Sequence, residues 1–558
     1  MFPASTFVVD LAQPQKRLAK ALLEPNTEQD AEFAREQLAR YARNQRRGRS
    51  APKEEYGFYD VTSWSLPLAF GVEAFWTEDA PDFPGSADRL VLPDNVTEKT
   101  SGATPAASVA AANPLVLSPS LIRAGAMEGR ASTAYIIPYD RDGAASLVAR
   151  LLREDFKLAV ATKPLNAGGR DYPRGTVVAR VSRNTEALHQ RIDALAREAG
   201  VAVWSVNTGF AERGDTGVGS ETVVSLRRPR IIVVGDEPVS QLSYGAIWWT
   251  FDRYGVEFTP MTIDALKRTR LDAYNVIILP DGSPGRYFAA LGKSGVDILR
   301  GWSERGGTLV CIKGAAVFAA LKDVNLTSAR LVGSDDEDDE KSGQKPDGTP
   351  TEQPSDTTAT TATTAPAQTT SGTSTTTGGT SAQQSPTTPR QGQRQRSTVA
   401  TGETAEDARE RQASDQTEKK EGAPPDLPPI ASPSARPGKV PEAVPGAIMR
   451  ATIDRTTPLT YGYDMTTLPV LVDSAYFFRP SKEGTNAVIF SADEKPPLRL
   501  AGFIWPDTER LLRGTAYVIE ESTSRGHVVL YAEDPNFRAI WRTTTRLFFN
   551  SFLFQPAF

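Results

Sequence analysis

The chain has 558 residues, which is long enough for two or three domains. Its apolar content of 39% suits a globular protein, and its net charge of −5 excludes the overall basic field that favours nucleic acid. A single cysteine, Cys311, excludes an internal disulfide framework, and two histidines, His189 and His527, restrict metal and acid–base chemistry.

Residues 1–55 predict a connecting segment built around one charged helix, residues 28–47. This helix runs into a basic stretch, "NQRRGRS", which favours an exposed helix end over nucleic-acid contact. The opening "MFPASTFVVD" lacks the basic start and long apolar run of a secretory signal. No run of about 18 apolar residues predicts a membrane span. The sequence as written therefore predicts no export route of its own. A truncated or misplaced start codon is the alternative explanation.

Residues 56–227 predict a smaller α/β unit. The apolar segments "TAYIIPY", "FKLAVAT", "GTVVARV" and "VAVWSV" favour strands, and the amphipathic segments between them favour helices. The helix in "NTEALHQRIDALAREAG" should be capped by Asn184 and carry His189 on its surface. The glycine-rich residues 214–221, "GDTGVGSE", lead into a strand-like "TVVSL". They therefore indicate a flexible connection rather than a phosphate-binding loop.

Residues 228–333 and 445–558 predict a second α/β domain. The apolar strands of "RPRIIVVGDEP", "YNVIILPDG" and "GGTLVCI" alternate with the helices of "SYGAIWWTFDRYG" and "GVDILRGWSERGG". Later, "LPVLVDS" and "NAVIFSA" favour strands, residues 514–534 favour a hairpin, and "FRAIWRTTTRLFFNSFLF" favours a closing helix. Buried strands that alternate with helices predict an α/β fold with a doubly wound, mostly parallel sheet.

Residues 334–444 interrupt this second domain. They open with "SDDEDDEKSG" and continue as a Thr-, Ser- and Pro-rich sequence without aromatic residues. Such a composition buries too little apolar surface to offset the entropy of ordering, so it predicts a disordered insertion. The spacing of its acidic residues matches no EF-hand loop, which favours a solvated charge run over a calcium site.

The histidines do not predict a zinc site. A catalytic zinc needs about three protein ligands. His189 is followed by Gln190 and Arg191, so neither an HxxE nor an HExxH pattern is present. His527 lies in the other domain, where it should open a strand. We therefore assign no catalytic, cofactor-binding or metal-binding residue to this chain.

The segments "RPRIIVVGDEP", "YNVIILPDG" and "GGTLVCIKGAA" resemble a class I glutamine amidotransferase-like domain. Active members carry the nucleophilic cysteine in the turn after a buried strand. In "VCIKGA" that place belongs to Lys313, and Cys311 lies two residues earlier, inside the strand. The place of the family's histidine, residues 534–538, reads "DPNFR". The resemblance therefore implies an amidotransferase-like, flavodoxin-like sheet that lacks both nucleophile and base.

The strand ends of this domain offer at most a degenerate elbow or ligand-binding edge. We expect Lys313 to point to solvent from the turn. Because a helix follows the turn, residual function there would be anion or carboxylate binding rather than acyl transfer. The candidate residues are Asp236, Asp281, Lys313, Gly314, Asp534, Asn536 and Arg538.

Two aromatic-rich blocks stand out, "YGFYDVTSWSLPLAFGVEAF" and "VVLYAEDPNFRAIWRTTTRLFFNSFLF". They resemble the region C-terminal to the catalytic domain in large bacterial zinc carboxypeptidases of the carboxypeptidase A-like class. The same resemblance extends to residues 2–25, 172–181, 446–450 and 457–463. The metal ligands and catalytic glutamate of those enzymes have no counterpart here, so zinc would belong only to an absent peptidase domain. Family members are exported, which implies a periplasmic or extracellular location if the start is truncated.

The resemblance leads to three functional expectations. The first is a non-catalytic accessory region that packs against a peptidase domain or subunit encoded elsewhere, or presents a peptide substrate to it. The second is the C-terminal part of a functional zinc metallocarboxypeptidase whose catalytic half is encoded upstream. The third is a degenerate amidotransferase-like domain that binds a small ligand or glycan at its strand ends. We expect neither nucleic acid nor a membrane among the partners.

Overall fold

The computed structural model describes residues 7–24, 29–47, 51–58, 65–78, 127–334 and 440–558. Most of the predicted insertion, residues 335–439, lies outside the described residues. The described helices are α1 Lys16–Leu23, α2 Ala31–Arg46, α3 Leu66–Phe70, α4 Asp142–Arg153, α5 Ala187–Ala199, α6 Gln241–Tyr254, α7 Ile263–Arg268, α8 Pro284–Glu304, α9 Gly314–Ala320, α10 Pro506–Leu512 and α11 Arg542–Leu553. The described strands are β1 Met127–Glu128, β2 Ala134–Ile137, β3 Ala159–Ala161, β4 Leu165–Ala167, β5 Arg170–Tyr172, β6 Val177–Arg180, β7 Val203–Val206, β8 Val223–Ser225, β9 Ile231–Val234, β10 Phe258–Met261, β11 Val276–Leu279, β12 Thr308–Ile312, β13 Gly446–Ile453, β14 Thr467–Val472, β15 Thr485–Phe490, β16 Arg499–Phe503, β17 Ala516–Thr523 and β18 Gly526–Tyr531.

The first sheet has the strand order β1-β7-β2-β6-β3-β8. Within it, β1 and β7 are parallel, and the other neighbours are antiparallel. Side chains alternate between its faces. Tyr135 joins the core that holds Leu147 and Leu151 of α4, whereas Ile136 joins a smaller core with Tyr172 of the β4–β5 hairpin. The sheet is therefore covered on both faces.

The start of α5 differs from the prediction. Its N-cap is Glu186, and no side chain caps it. Asn184 instead accepts a hydrogen bond from the backbone nitrogen of Lys157 at 2.7 Å and donates to the Lys157 carbonyl at 3.0 Å. The predicted cap is wrong because the side-chain amide of Asn184 bonds the backbone of Lys157, in the loop before β3, rather than the first turn of α5.

The second sheet holds ten strands in the order β10-β9-β11-β12-β18-β17-β15-β13-β14, with β16 paired to β13. The strands from β10 to β18 in this order are parallel. Strands β9, β11 and β12 are buried along their whole length, as apolar runs in a covered parallel sheet should be. The predicted α/β fold with a doubly wound, mostly parallel sheet is confirmed, with the parallel part formed by β10, β9, β11, β12 and β18. An antiparallel extension from β17 to β14 continues it. The predicted hairpin within residues 514–534 is present as β17 and β18, whereas the pairing of the other strands of the extension was not predicted.

The two sides of the insertion complete this one sheet. Strand β18 pairs with β12 in parallel, with Thr308 opposite His527 and Cys311 opposite Leu530. Strands β13 to β18 all follow residue 440, so the sheet cannot be completed by the residues before the insertion alone. A single buried core contains side chains from both sheets.

Helices α6 and α11 join the two sheets. Phe251 of α6 packs against Phe548 and Phe552 of α11, with ring centroids 5.6 and 5.2 Å apart. Tyr254, at the end of α6, donates a hydrogen bond to Asp142 at the start of α4. The first sheet is thus anchored to the second through aromatic packing and one buried hydroxyl.

The N-terminal residues pack on the antiparallel extension. Trp505, which precedes α10, lies against Tyr41 of α2 and against Tyr56, with ring centroids 4.8 and 4.4 Å apart. Arg43 and Glu54 form an ion pair at 2.7 Å that fixes residues 51–58 against α2. Within the described ranges, no helix has the length and apolar character needed to cross a membrane.

Candidate functional site

The carboxyl ends of parallel strands meet at one edge of a sheet, where α/β proteins usually bind ligands. Lys313 lies at this edge, between β12 and α9, with φ 51° and ψ −108°. A non-glycine residue at positive φ costs about 1 to 3 kcal/mol and persists only where its surroundings support it. The strand-to-helix elbow suggested by the sequence is present, with a lysine at its turn.

Gly314 and Asp281 support the elbow. A Cβ atom on Gly314 would lie 1.9 Å from the carbonyl oxygen of Gly282, so only glycine fits there. Asp281 follows β11, and its Oδ1 accepts hydrogen bonds from the backbone nitrogens of Gly282 at 2.8 Å and Gly314 at 2.9 Å. Burial raises the pKa of Asp281 above its usual range, although Lys313 and these two donors act in the opposite direction. The loop after β11 therefore packs directly on the start of α9.

The Lys313 side chain is held inside the edge rather than in solvent. Its Nζ lies 2.7 Å from Oδ1 of Asp473 and 3.6 Å from Oε2 of Glu533, and the side chain is only 16% exposed. Burial lowers the pKa of Lys313, but the charges of Glu533, Asp473 and Asp281 outweigh it, so the pKa lies above its usual range. The expectation of a solvent-pointing lysine is wrong, because carboxylates from other strands reach the ammonium.

Asp473 and Glu533 form a carboxyl pair beside this ammonium. Oε1 of Glu533 accepts hydrogen bonds from the backbone nitrogens of Asp473 and Ser474 and from the Ser474 hydroxyl, at 3.1, 3.0 and 2.7 Å. Burial raises the pKa of Glu533 well above its usual range, and the Asp473 charge raises it further. Burial also acts to raise the pKa of Asp473, but Lys313 and a hydrogen bond from Glu533 hold it below its usual range.

These directions assign one proton to the pair. Glu533 is the neutral acid and donates to Asp473, which is the carboxylate that pairs with Lys313. The Lys313 ammonium is thus paired within the protein, with Asp473 at 2.7 Å and Oε2 of Glu533 at 3.6 Å. The elbow therefore offers no free cation, and the geometry does not favour the anion or carboxylate binding considered from the sequence.

Of the remaining candidate residues, Asp534 and Asn536 are largely covered by the protein, whereas Arg538 and Asp236 are exposed. Asp534 accepts a hydrogen bond from the backbone nitrogen of Asn536 at 2.8 Å, and burial raises the pKa of Asp534 to about 6. Asn536 is 1% exposed, and neither polar atom of its amide has a hydrogen-bond partner among the described residues. Arg538 is exposed, but its charge lowers the pKa of Asp473. Asp236 is also exposed, and its carboxylate contacts the neighbouring Glu237 nitrogen at 2.9 Å.

Two central residues were missed by the sequence analysis. Glu533 directly precedes the candidate Asp534, and Asp473 directly follows β14. Both are acidic residues at the end of an apolar strand, which is the signal that could have found them. What the sequence does not indicate is that β14 belongs to the same sheet as β12, because Asp473 lies 160 residues after Lys313 in the chain.

Cys311 lies within β12 and has no exposed surface, as predicted. Burial raises the pKa of its thiol well above the usual range. His527 opens β18, also as predicted, but it pairs in register with Thr308, at the opposite end of β12 from the elbow. Its Nδ1 lies 2.7 Å from Oε1 of Glu520. The structure therefore does not bring the thiol and this imidazole together.

His189 is a buried residue rather than the surface residue that was predicted. It is 6% exposed, and its Nδ1 lies 2.6 Å from the hydroxyl of Tyr135 in β2. Position 189 lies three residues before Ile192, on the inner face of α5, so the imidazole enters the core. Within the described part of the chain, no group of three or more His, Cys, Asp or Glu residues is arranged to hold a metal ion.

Comparison with known proteins gives no family for this chain. No protein-family model matches the sequence, and no curated protein matches it. Among solved structures, a protein described as a candidate GMP synthase component from Thermoplasma acidophilum is similar at 11% identity over 57% of this chain and 94% of its own length, with a TM-score of 0.27. A cytoplasmic protein from Salmonella typhimurium is similar at 9% identity over 58% of this chain and 97% of its own length, with a TM-score of 0.28. Likeness at this level supports no conclusion about function.

Proposed function

We propose that this chain is a non-catalytic, amidotransferase-like accessory region of a zinc-carboxypeptidase-like protein. The observation that carries the proposal is the ion pair between Lys313 and Asp473 at the elbow, at 2.7 Å. An ammonium that carboxylates keep protonated has no free electron pair with which to attack a carbonyl carbon. In this proposal, the turn that presents the nucleophile in an active amidotransferase instead holds Lys313 in a structural ion pair.

The thiol supports the same proposal. The thiolate, not the thiol, is the nucleophile, and burial keeps Cys311 un-ionised at neutral pH. The nearest histidine in strand register, His527, lies three residue steps along the paired strands, which is about 10 Å. A base at that distance and at the wrong end of the strand cannot take the thiol proton directly.

The proposed partner is a peptidase domain, and this part of the proposal rests on the sequence resemblance. Zinc would be held by that domain, where it would activate water for removal of C-terminal amino acids. The part of this chain would be to pack against the domain or to present a peptide to it. If the two are joined in one protein, the chain is the C-terminal part of a working metallocarboxypeptidase.

Co-expression with a peptidase domain encoded directly upstream of Met1 tests the proposal. We expect the two parts to purify as a stoichiometric complex whose release of C-terminal amino acids is unchanged by Cys311→Ser. The chain alone should release no ammonia from glutamine. Ammonia release that Cys311→Ser abolishes, or two parts that do not associate when co-expressed, would contradict the proposal.

Ligand binding at the strand ends is a second candidate, favoured by the unpartnered amide of Asn536. A buried amide without partners is costly, so a bound ligand could supply the missing hydrogen bonds. Thermal unfolding with L-glutamine, and separately with N-acetylglucosamine, tests this candidate. A rise in Tm that Asn536→Ala removes would support it. No rise with either compound, or an equal rise in the variant, would count against it.

A further inference from the structure

Helix α6 presents an apolar stripe to solvent. Leu242, Trp248 and Trp249 are 63%, 52% and 44% exposed, although Ile247 on the other face is fully buried. Residues three and four apart lie on the same face of a helix, so Leu242, Gly245 and Trp249 are neighbours along this stripe. Large apolar side chains that share an exposed face mark an interaction surface.

Gly245 gives this surface a defined shape. Glycine is one of the least favourable residues in a helix interior. No atom lies within 4 Å of the position that a Cβ on Gly245 would occupy, so packing among the described residues does not require glycine there. The exposed face of α6 therefore carries a hole one turn before the protruding indole of Trp249.

The two ends of α6 carry opposite charges. At the C-terminal end, the guanidinium groups of Arg253 and Arg542 lie 5.4 and 5.1 Å from the centre of the Trp249 ring. At the N-terminal end, the exposed carboxylates of Asp236 and Glu237 precede the helix. Within the described ranges, none of these four side chains forms an ion pair. The surface is therefore apolar in the middle, cationic at one end and anionic at the other.

We propose that two copies of this chain associate through α6, packed antiparallel about a two-fold axis between Gly245 and Trp249. A two-fold interface uses the same patch on both copies, so that patch must complement itself. In this arrangement Trp249 of each copy fills the hole above Gly245 of the other. Antiparallel order also brings Arg253 and Arg542 of one copy to Asp236 and Glu237 of the other, and it opposes the two helix dipoles. The proposal goes beyond the accessory role and does not depend on it.

The exposed surface beside α6 extends the contact. Phe70 and Val72 are 48% and 58% exposed, and Gly71 between them lies against Thr543, next to Arg542. Stable interfaces bury roughly 800 Å² and about 20 to 30 residues per partner, whereas the stripe on α6 offers only a few side chains. We therefore expect a dimer that dissociates on dilution rather than a permanent one.

Sedimentation equilibrium of the full chain over a range of concentrations tests the proposal. We expect a monomer–dimer equilibrium whose dissociation constant rises about tenfold or more in Trp249→Ala and in Gly245→Leu. Leucine is a good helix former, so Gly245→Leu should remain folded, which its thermal unfolding would verify. Phe210→Ala removes an aromatic side chain that is 84% exposed outside α6 and serves as the matched control, with wild-type behaviour expected.

Charge exchange tests the antiparallel order. Arg253→Glu should weaken the dimer, and combining it with Glu237→Arg should restore the wild-type dissociation constant. A wild-type chain that stays monomeric at all concentrations would overturn the proposal. So would a dimer that responds to Phe210→Ala as strongly as to Trp249→Ala. A monomeric chain that binds phosphatidylserine vesicles or a peptidase domain through the stripe would also overturn the proposal, because the occupant of the stripe would then not be a second copy of the chain.

Discussion

At Lys313, two unfavourable features occur in one residue. Its backbone has positive φ, and its ammonium is mostly buried. Both are tolerated because the surrounding residues are fixed, with Asp281 bonded to the backbone of Gly314 and Asp473 bonded to Nζ of Lys313. Removing one member of such a pair leaves an uncompensated charge in a poorly solvated position.

Lys313→Met tests the contribution of this pair. We expect it to lower the free energy of unfolding by about 3 kcal/mol, because Asp473 would keep its charge without the cation that compensates it. Urea denaturation measures the change. The double variant Lys313→Met/Asp473→Asn should lose less than the sum of the single variants. Arg197→Met, in the exposed pair with Asp193, is the control, and it should lose less than about 1 kcal/mol. Equal losses in Lys313→Met and Arg197→Met would contradict the buried pair.

Asp534 predicts a pH dependence of stability. Its pKa in the folded protein is about 6, against about 3.9 in an unfolded chain. Between these values the folded state keeps a proton that the unfolded state has lost, so the free energy of unfolding should fall as pH rises from about 4 to about 6. Its contribution is fully present below this window.

Asp534→Asn should flatten that slope by about 2 kcal/mol across the window, because the amide does not titrate there. Urea denaturation at several pH values between 4 and 6 measures it. Asp236→Asn removes an exposed carboxylate at the end of β9 and should leave the slope in place. A slope as steep in Asp534→Asn as in the wild type would contradict the prediction, whereas a smaller residual slope is expected from Asp281 and Glu533, whose pKa values are also raised.

Some residues at the site were predictable, and others were not. The order of residues in "VCIKGA" places Lys313 after the strand and Cys311 inside it, because side chains of a strand have fixed positions relative to the turn. The partner of Lys313 was not predictable, since Asp473 comes from a strand whose place in the sheet depends on non-local pairing. His189 was misplaced because a histidine beside an apolar stripe can belong to either face of a helix.

Among the elements, the buried strands were the easiest to predict. Short, continuous apolar runs such as Ile231–Val234 and Val276–Leu279 are typical of buried strands. They are easily distinguished from the amphipathic helices of this chain. Beyond the predicted β17–β18 hairpin, the antiparallel extension was not predicted, because the sequence of an apolar segment does not show which strand it pairs with or in which direction. The pairing of β18 with both β12 and β17 is the step that changes the sheet from parallel to antiparallel.

Limited proteolysis tests this shared sheet. The composition of residues 335–439 predicts preferential cleavage there. The two fragments should stay together in gel filtration, because β12 and β18 pair from Thr308–His527 to Ile312–Tyr531 across the cleavage site. They should separate only in denaturant. Fragments that separate in native buffer would show that the flanking segments do not form one sheet.

At the scale of the whole molecule, the elbow lies within one continuous core. Side chains of both sheets belong to that core, and Tyr41 and Tyr56 pack on the antiparallel extension through Trp505. Exposure of the β12 interior therefore requires the second sheet to open. Because Cys311 is the only cysteine in the chain, its thiol reports that opening without interference from other thiols.

The rate at which iodoacetamide labels Cys311 in the native protein tests the central claim, that the elbow is a closed structural element without an activated nucleophile. We predict slow labelling near neutral pH that becomes fast only in denaturant, since the thiol is buried and un-ionised. Lys313→Ala should speed it by destabilising the sheet. Fast labelling of the native protein that Lys313→Ala suppresses would contradict the claim, because it would show an accessible thiolate stabilised by the lysine.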